Sequence, residues 1–566
     1  MRNRVSLGGV ERIQNSGRLW MFHAAPFLLG ISLFAVNEAP VLSGYLAPPP
    51  GYVASFLVQQ QDYLQYQTWI IAYQRTKGCL LPDYHAPWTT EPAMLNPYFW
   101  FVAHTAAVLG VDGLWIYHLF YLALHIAGGY ALLFALRAFT YSQTQGRLAL
   151  LVSFCSVPVA SVLAVLTLPL SKSDPWIRLV WYAARVHGWY NNDGFVDGIS
   201  GSPLVLFGSV SSVLCMGLLA KYLRTNLPKY LWWAGLVAAV SAFIHPFEIF
   251  VVMGAGGLAL LMRRDRPWTQ TIREVACLVI PGMAGMAPYV YLMLRHAWLR
   301  ETGVQSRWIP PFSPPTLLLM LGFPAVLCVV SYVLPLRKRS VTDPLLSGWF
   351  GGVLVGLYVP WVPWSHHLLD GFFYATAMLL VRQAARWDFL RRLWMERPVA
   401  VRISIGVWVV LSVAAHGIYL ADATAAGRVA GGGGSAVMSK TDQAVLAWLR
   451  EHAGANDLVL SPRSSAGLFA TVPMHSFASH WLYSITLLEQ KRLSEAFYQG
   501  ALDLSAADAL LTGYGVRYAI IPNESPAQRY FSNQSPVIRI GSDAIYRMPN
   551  AAMRPFTPLH RSKIGE

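Results

Sequence analysis

Charged residues are scarce in this chain. Only 13% of its 566 residues are charged and 55% are hydrophobic, whereas a soluble protein carries about 25% charged residues. The apolar residues gather in repeated runs near the length of about 20 residues that a helix needs to cross a bilayer. The composition therefore excludes a soluble enzyme and a disordered chain, and it predicts a polytopic α-helical membrane protein.

Cysteine is also scarce, and the motifs of several protein classes are missing. Of the five cysteines, Cys155, Cys215, Cys277 and Cys328 lie inside apolar runs, and Cys79 is alone in a polar segment. This placement gives no disulfide framework and no zinc spacing. The sequence has no CxxC or HExxH motif, and no Walker loop, dinucleotide-binding glycine motif or nucleophile elbow in a suitable context. We therefore expect neither ATP-driven pumping nor serine hydrolysis, and we predict no cofactor and no metal site.

The distribution of positive charge predicts the topology. The first apolar run, Leu19–Val36, follows four arginines without a clear cleavage site, so we expect a retained span and a cytoplasmic N-terminus. The run Leu95–Gly110, about 15 residues long, is short for a crossing, and counting it as a span would place the later basic loops outside. We therefore predict about 11 spans plus this re-entrant or interfacial helix.

The further predicted spans share apolar composition and sufficient length. They are Leu114–Ala138, Leu148–Leu168, Leu204–Leu223, Tyr230–Ile244, Phe247–Leu261, Val275–Leu294, Thr316–Leu336, Leu345–Val362, Phe372–Val381 with its flanks, and Ile403–Tyr419. With this topology, most of the formal net charge of +15 lies in inner loops, where it faces anionic lipid head groups. Nucleic acid is therefore not an expected partner.

The chain divides into three parts. Residues 1–423 are predicted to form the membrane domain, with a large first outer loop over 37–94, and 424–436 a flexible Gly/Ala linker. Residues 437–566 are predicted to form a small extracytoplasmic α/β domain. It has a helix over Thr441–Glu451 capped by Thr441 or Asp442.

Further elements of this domain are predicted from short apolar segments. The predicted strands and second helix are Asp457–Ser461, Tyr518–Pro522, Val537–Ile540 with Ala544–Tyr546, and Ala506–Leu511.

The first outer loop contains the leading candidate for chemistry. Gly51–Tyr73, preceded by Pro48–Pro50, has the pattern of an amphipathic helix lying on the membrane surface. Asp62 on this helix could accept a proton from a hydroxyl nucleophile, or it could be an ordinary solvated residue. Downstream, Glu91 could line a pocket, although capping of the next helix is the favoured interpretation.

The second outer loop also carries ionisable groups. It contains Lys172, Arg178, Arg185 and Asp193 among tryptophans. Cationic side chains beside interfacial aromatics suit a lipid-linked phosphate, although an ordinary snorkelling belt would have the same pattern.

Histidines and a glutamate recur within the apolar part of the chain. His245-Pro246-Phe247-Glu248 interrupts Tyr230–Leu261, a run too long for one span, and predicts two helices with a tight turn. Ionisable groups are costly at membrane level, so His245 and Glu248 are either functional or paired with each other. His366 and His367 precede a later span and are possible lining residues; adjacent side chains diverge on a helix, which argues against a metal there. His104, His118 and His125 are interpreted as core histidines bonded to neighbours.

Taken in order, these segments resemble bacterial members of the GT-C superfamily of integral-membrane glycosyltransferases. The similar segments are QDYLQYQTWI, TTEPAMLNPYFW, HPFE, SHHLLDGFF, AVLAWLREHAGANDLVLSP, SHWLYSITLLEQKR and LTGYGVRYAIIPNE. The resemblance implies transfer of a sugar from a polyprenyl-phosphate donor to a glycan, lipid or protein acceptor on the extracytoplasmic face of a bacterial inner membrane. It assigns the catalytic acid to Asp62, with Glu91 or Asp193 as a second acid, because the adjacent acidic pair of many members is replaced by Gln61-Asp62-Tyr63. Lys172, Arg178 and Arg185 would then bind the donor phosphate.

Two other functions compete with this one. A transporter or flippase of lipid-linked glycans would more often show repeat symmetry, which the sequence lacks, and a non-catalytic scaffold would tolerate loss of the loop acids.

Overall fold

The computed structural model describes most of the chain, in two compact units. The described residues are 24–55, 61–76, 78–140, 143–154, 159–167, 174–175, 202–305, 317, 321, 325, 328–329, 340–359, 365–369, 371–384, 392, 396–428, 436–462, 472, 474–478, 487–549 and 552–555. One unit, here called the helical unit, comprises Met1–Asn37, Leu119–Met286 and Pro311–Ile418. The other, the mixed unit, comprises Glu38–His118, Ala287–Pro310 and Tyr419–Glu566.

The α-helices are numbered in chain order through the described residues. They are α1 (Ala24–Asn37), α2 (Ala39–Leu46), α3 (Gln61–Thr76), α4 (Pro97–Leu109), α5 (Gly113–Phe139), α6 (Gln143–Phe154), α7 (Val159–Leu166), α8 (Pro203–Thr225), α9 (Pro228–Ile244), α10 (Ile249–Leu261), α11 (Trp268–Arg295), α12 (Ala297–Gln305), α13 (Asp343–Gly356), α14 (Phe372–Ala384), α15 (Pro398–Arg428), α16 (Lys440–His452), α17 (Leu487–Tyr498) and α18 (Leu504–Gly513). Short 3₁₀ helices cover Ser365–Leu369 and Pro526–Phe531.

Four helices in the described part of the chain are long and apolar enough to cross a membrane. They are Gly113–Phe139, Pro203–Thr225, Trp268–Arg295 and the Val399–Ile418 segment of α15, and α1 with α2 would add a fifth if the pair is one span. The predicted membrane class is therefore supported. The number of about 11 spans stays a prediction, because runs such as Thr316–Leu336 lie largely outside the described residues.

Helix α8 is the central element of the helical unit. Of its apolar window, 83% is buried, against 17% for α11 and 11% for α15, so α11 and α15 are the helices that face outward. Small residues let α8 approach α9 closely: the hydroxyls of Ser211 and Ser241 lie 2.8 Å apart, and Cys215 Sγ donates to the carbonyl of Ala234.

The run Tyr230–Leu261 forms two helices, as the sequence predicted. Helix α9 ends at Ile244 and α10 begins at Ile249, with His245–Glu248 between them. Pro246 explains the break, because proline lacks the N–H that a continuous helix would need at this position.

The short helix after the first outer loop also has the predicted length. Helix α4 has 13 residues and ends at Gly110, whose φ of 66° is the left-handed cap that favours glycine. Its length of about 20 Å is less than a bilayer core of about 30 Å. A re-entrant or interfacial position for α4 remains a prediction.

The mixed unit is built on a five-stranded sheet with the order β5-β4-β6-β8-β7. Its strands are β4 (Leu458–Leu460), β5 (His475–Ser476), β6 (Val516–Pro522), β7 (Ile538–Ile540) and β8 (Asp543–Arg547). Strands β4, β5 and β6 run parallel, whereas β8 is antiparallel to β6 and β7. The predicted strands and the second helix of the C-terminal α/β fold are therefore present.

The first outer loop is part of the same unit. Strand β1 (Tyr52–Ala54) pairs with β3 (Val437–Ser439), and β2 (Trp88–Thr89) pairs with β9 (Arg554–Pro555). Leu64 of α3 is 1% exposed and belongs to the apolar cluster beneath the sheet, with Leu446 of α16 and Ile520 of β6.

One detail predicted for the first outer loop is wrong. Tyr52–Ala54 is a strand and not the start of a helix, because Pro49-Pro50-Gly51 forms a turn in which Tyr52 N–H donates to the carbonyl of Pro49 and Gly51 has φ +82°. Helix α3 is buried on most of its surface, because the sheet and α4 cover its apolar side chains. Its position at the membrane surface stays a prediction.

Two details predicted for the C-terminal half are also wrong. The N-cap of α16 is Ser439, whose hydroxyl accepts from the N–H of Asp442 at 2.9 Å; Thr441 and Asp442 lie inside the helix. Helix α15 continues through Thr424–Arg428, which the composition assigned to a flexible linker, because the two alanines there favour helix. Residues 429–435 of the predicted linker lie outside the described residues.

Candidate functional site

Asp62 is the second residue of α3, and its helix is firmly held. Tyr66, one turn further on, stacks on Phe99 of α4 at a ring distance of 4.7 Å, and Trp69 lies 5.4 Å from the same ring. All three rings are buried. The backbone that carries Asp62 is therefore fixed by tertiary packing, although its carboxylate lies outside the described side chains.

Gln65 is a polar neighbour that the sequence interpretation missed. It is 2% exposed, and its Nε2 has no hydrogen-bond partner among the described residues. Residues three apart share one face of a helix, so Gln65 lies on the face of α3 that carries Asp62. A buried amide without a partner is costly, which makes Gln65 a candidate for contact with a substrate. The only sequence signal for it is the run of glutamines before Asp62.

Glu91 is fixed by a different contact from the one predicted. Its carboxylate is 81% exposed and lies 3.2 Å from Nδ1 of His296, and Trp298 Nε1 donates to its carbonyl. Helix α4 begins at Pro97 with Asn96 as N-cap and no side-chain cap. The capping interpretation of Glu91 is therefore wrong, and its carboxylate is accessible.

Asp83 and His475 join the first outer loop to strand β5. Ser476 N–H donates to the carbonyl of Tyr84, and Nδ1 of His475 lies 3.1 Å from the carbonyl of Ala86. Asp83 is fully buried; its Oδ1 accepts from the N–H of His85, whereas Oδ2 has no partner among the described residues. Burial raises the pKa of Asp83 to about 7 and lowers the pKa of His475 to about 4.

In the helical unit, the structure brings together His245, Glu248 and His367. Nδ1 of His245 lies 2.7 Å from Oε1 of Glu248 and 3.0 Å from its Oε2. The ring of His367 is perpendicular to that of His245 at 5.2 Å, and it stacks on Phe247 at 4.9 Å. His245 and Glu248 are 5% and 2% exposed. They are therefore paired with each other, one of the two interpretations that the sequence left open.

Several predicted site residues lie outside the described part of the chain. These are Lys172, Arg178, Arg185 and Asp193, together with the side chain of His366. Their roles remain predictions. Among the described residues, no group of three or more His, Cys, Asp or Glu side chains could hold a metal ion.

The three apolar-run histidines are bonded to neighbours, as predicted. Nδ1 of His104 lies 2.8 Å from the carbonyl of Trp100, and Nδ1 of His125 lies 2.8 Å from that of Tyr121. Nδ1 of His118 lies 3.2 Å from Oε1 of Glu38.

Comparison with known proteins identifies the fold. No protein-family model matches the chain, and a search of curated proteins found no match. Among solved structures, a mutant of the arabinofuranosyltransferase AftD from Mycobacteria aligns over 92% of this chain with TM-score 0.54 and 13% identity. A second AftD structure aligns over 93% with TM-score 0.51 and 13% identity.

The two proteins differ greatly in size, since the chain spans 39–40% of the length of AftD. An oligosaccharyltransferase from Archaeoglobus fulgidus aligns with TM-score 0.48 and 13% identity, over 89% of this chain and 70% of its own. The AftD alignments show that the chain shares its fold with this arabinofuranosyltransferase, and the resemblance indicated by the sequence motifs is confirmed at the level of the fold.

Proposed function

We propose that the chain is a membrane glycosyltransferase that moves a sugar from a polyprenyl-phosphate donor to an acceptor on the extracytoplasmic face. The observation that carries this proposal is the fold shared with AftD over 92% of the chain. In support, an acidic residue occupies the start of a first-loop helix that is locked against α4 and the sheet. Fold alone does not define a reaction, so the proposal also depends on the chemistry of that helix.

In the proposed reaction, Asp62 acts as general base. It takes the proton of an acceptor hydroxyl, and the hydroxyl oxygen attacks the anomeric carbon of the donor. The bond between that carbon and the phosphate oxygen breaks, and the polyprenyl phosphate leaves with the electron pair. Lys172, Arg178 and Arg185 are proposed to stabilise the negative charge on the leaving phosphate.

Two further roles complete the proposed site. Gln65, one turn after Asp62, has an amide N–H without a partner among the described residues, which can donate to a sugar or acceptor hydroxyl. Glu91 or Asp193 is the proposed second acid; the exposed carboxylate of Glu91 is compatible with contact to a substrate.

The proposed location rests on the charge distribution and on the resemblance to bacterial GT-C enzymes. We propose that the N-terminus lies in the cytoplasm of a bacterial inner membrane, because the inner loops are basic. The C-terminal α/β domain would then lie in the periplasm, where a cell-envelope glycan, lipid or protein would be the acceptor.

A sugar-transfer assay with the wild-type chain tests the proposal. Purified protein in liposomes is incubated with polyprenyl-phosphate sugars labelled in the sugar, including arabinofuranosyl and hexosyl donors, and with a bacterial envelope extract as acceptor. We expect release of free polyprenyl phosphate and appearance of the label in a new glycoside. A flippase would instead move the donor across the bilayer intact, and that result would contradict the proposal.

A further inference from the structure

Helices α4 and α5 meet in an exposed apolar corner, formed by residues 108–115. Its large apolar side chains are each between 43% and 85% exposed, namely Val108, Leu109, Val111 and Trp115. Helix α5 begins at Gly113 and is long and apolar enough to cross a membrane, so its first turn marks one boundary of that candidate span. Exposed aliphatic side chains with a tryptophan beside them, at the end of a span, are typical of the membrane interface.

Two exposed arginines from distant parts of the chain lie beside this corner. Gly113 packs against α3, where an added Cβ would collide with Ile70, and Arg75 lies in the last turn of the same helix. Arg450 lies in the last turn of α16. Partial burial lowers the pKa of Arg450, the positive charge of Arg75 lowers it further, and the negative charge of Asp112 opposes these effects. The two guanidinium groups are therefore close enough to repel each other.

The single carboxylate of Asp112 does not balance the two arginines. Its Oδ1 accepts the N–H of Leu114 at 2.7 Å, so it also caps the start of α5. Neither arginine forms an ion pair or a side-chain hydrogen bond with the described residues. The dipole of each helix favours a cation in its last turn, but that local effect does not require two helices from distant parts of the chain to place their cations together. One net positive charge therefore remains for an anion.

We propose that Arg75 and Arg450 bind the head group of an anionic phospholipid of the bilayer, whose acyl chains lie against the apolar corner. Charge complementarity favours the anionic head group, and a guanidinium group can contact a phosphate through two N–H donors. The corner is continuous with a candidate membrane span, which favours a lipid over a soluble protein. The bound lipid is then the counter-ion that holds α3 of the first outer loop beside α16 of the C-terminal domain. This inference does not depend on sugar transfer.

Lipid binding to the purified full-length protein in mild detergent tests this assignment. Native mass spectrometry measures the dissociation constants of phosphatidylglycerol and of zwitterionic phosphatidylcholine with the same acyl chains. We expect phosphatidylglycerol to bind more tightly to the wild type. Arg75→Gln and Arg450→Gln should each weaken phosphatidylglycerol binding about fivefold and leave the affinity for phosphatidylcholine unchanged.

Arg492→Gln is the matched control for the loss of one positive charge. Arg492 is exposed on α17, which packs on the opposite face of the five-stranded sheet from α16, so its variant should bind phosphatidylglycerol with wild-type affinity. Wild-type affinity in both Arg75→Gln and Arg450→Gln would overturn the proposal. An equal loss in Arg492→Gln would also overturn it, because binding would then follow net charge alone.

The unfolding temperature in phosphatidylcholine nanodiscs separates lipid binding from a purely structural role of the two arginines. Without an anionic lipid, Arg75→Gln and Arg450→Gln relieve the repulsion between the guanidinium groups, so both variants should unfold at the wild-type temperature or above it. In phosphatidylglycerol nanodiscs the wild type should unfold at a higher temperature than in phosphatidylcholine, and this difference should shrink in both variants. Lower unfolding temperatures of both variants in phosphatidylcholine would contradict the proposal.

Discussion

Asp83 and His475 are buried ionisable residues with opposite effects on stability. Asp83 keeps its proton in the folded state up to about pH 7, whereas an ordinary carboxyl loses it near 3.8; rising pH therefore lowers the free energy of unfolding over this window. His475 is neutral in the folded state down to about pH 4 against an ordinary 6.5, so falling pH lowers the free energy of unfolding over that window. Between about pH 4 and 6.5 the two effects cancel.

Replacing either residue should reveal the pH dependence of stability that the other one causes. Asp83→Asn should unfold at higher temperature as pH rises from 4 to 6.5, whereas His475→Asn should unfold at lower temperature over the same range, with slopes approaching about 1.4 kcal/mol per pH unit. The measurement is the unfolding midpoint of the purified chain in mild detergent at several pH values. Parallel profiles for the two variants would contradict the assigned burial of these groups.

The contacts of two residues could not be predicted from the sequence. Asp83 lies in the polar first outer loop, but its burial depends on strand β5, nearly 400 residues later in the chain. Glu91 was interpreted as a cap because it precedes α4, yet its partner is His296. Both failures have the same cause: a local pattern does not report a tertiary contact.

At the scale of elements, local sequence signals predicted helices and strands correctly where the chemistry of the backbone determines the structure. Pro246 predicted the break between α9 and α10, and short apolar segments predicted β4, β6 and β8. Strand β1 was missed because its partner β3 lies more than 380 residues away and its three residues carry no period. The burial of α3 was not predicted for a similar reason, because its apolar face is covered by the C-terminal domain.

The N-cap of α16 provides a test at this scale. Ser439→Ala should lower the free energy of unfolding of the mixed unit by about 1 kcal/mol, because the N–H of Asp442 loses its acceptor. Ser505→Ala, an exposed serine in the first turn of α18, is the matched control and should cost less, since alanine favours helix. Both variants are compared by denaturant titration followed by tryptophan fluorescence. Equal destabilisation would contradict the cap assignment.

On the scale of the whole molecule, the first outer loop and the C-terminal domain are parts of one unit. Strand pairs β1–β3 and β2–β9 and the apolar cluster around Leu64 join segments from opposite ends of the chain. The sequence predicted the membrane class, the α/β domain and the GT-C fold, because composition and motifs are local properties. It could not predict this union, which depends on contacts between distant segments. The helix of Asp62 thus owes its position to the C-terminal domain.

The decisive measurement is the rate of sugar transfer from a polyprenyl-phosphate donor by Asp62→Asn, compared with wild type and with Asp508→Asn. Asp508 is an exposed carboxylate on α18, so its variant makes the same change in charge away from the proposed site. A general base contributes about 10²–10⁴-fold to a rate. We therefore predict that Asp62→Asn lowers transfer at least about 100-fold, with protein yield unchanged and Asp508→Asn at the wild-type rate. Transfer by Asp62→Asn at the wild-type rate would contradict the assignment of Asp62 as the catalytic base.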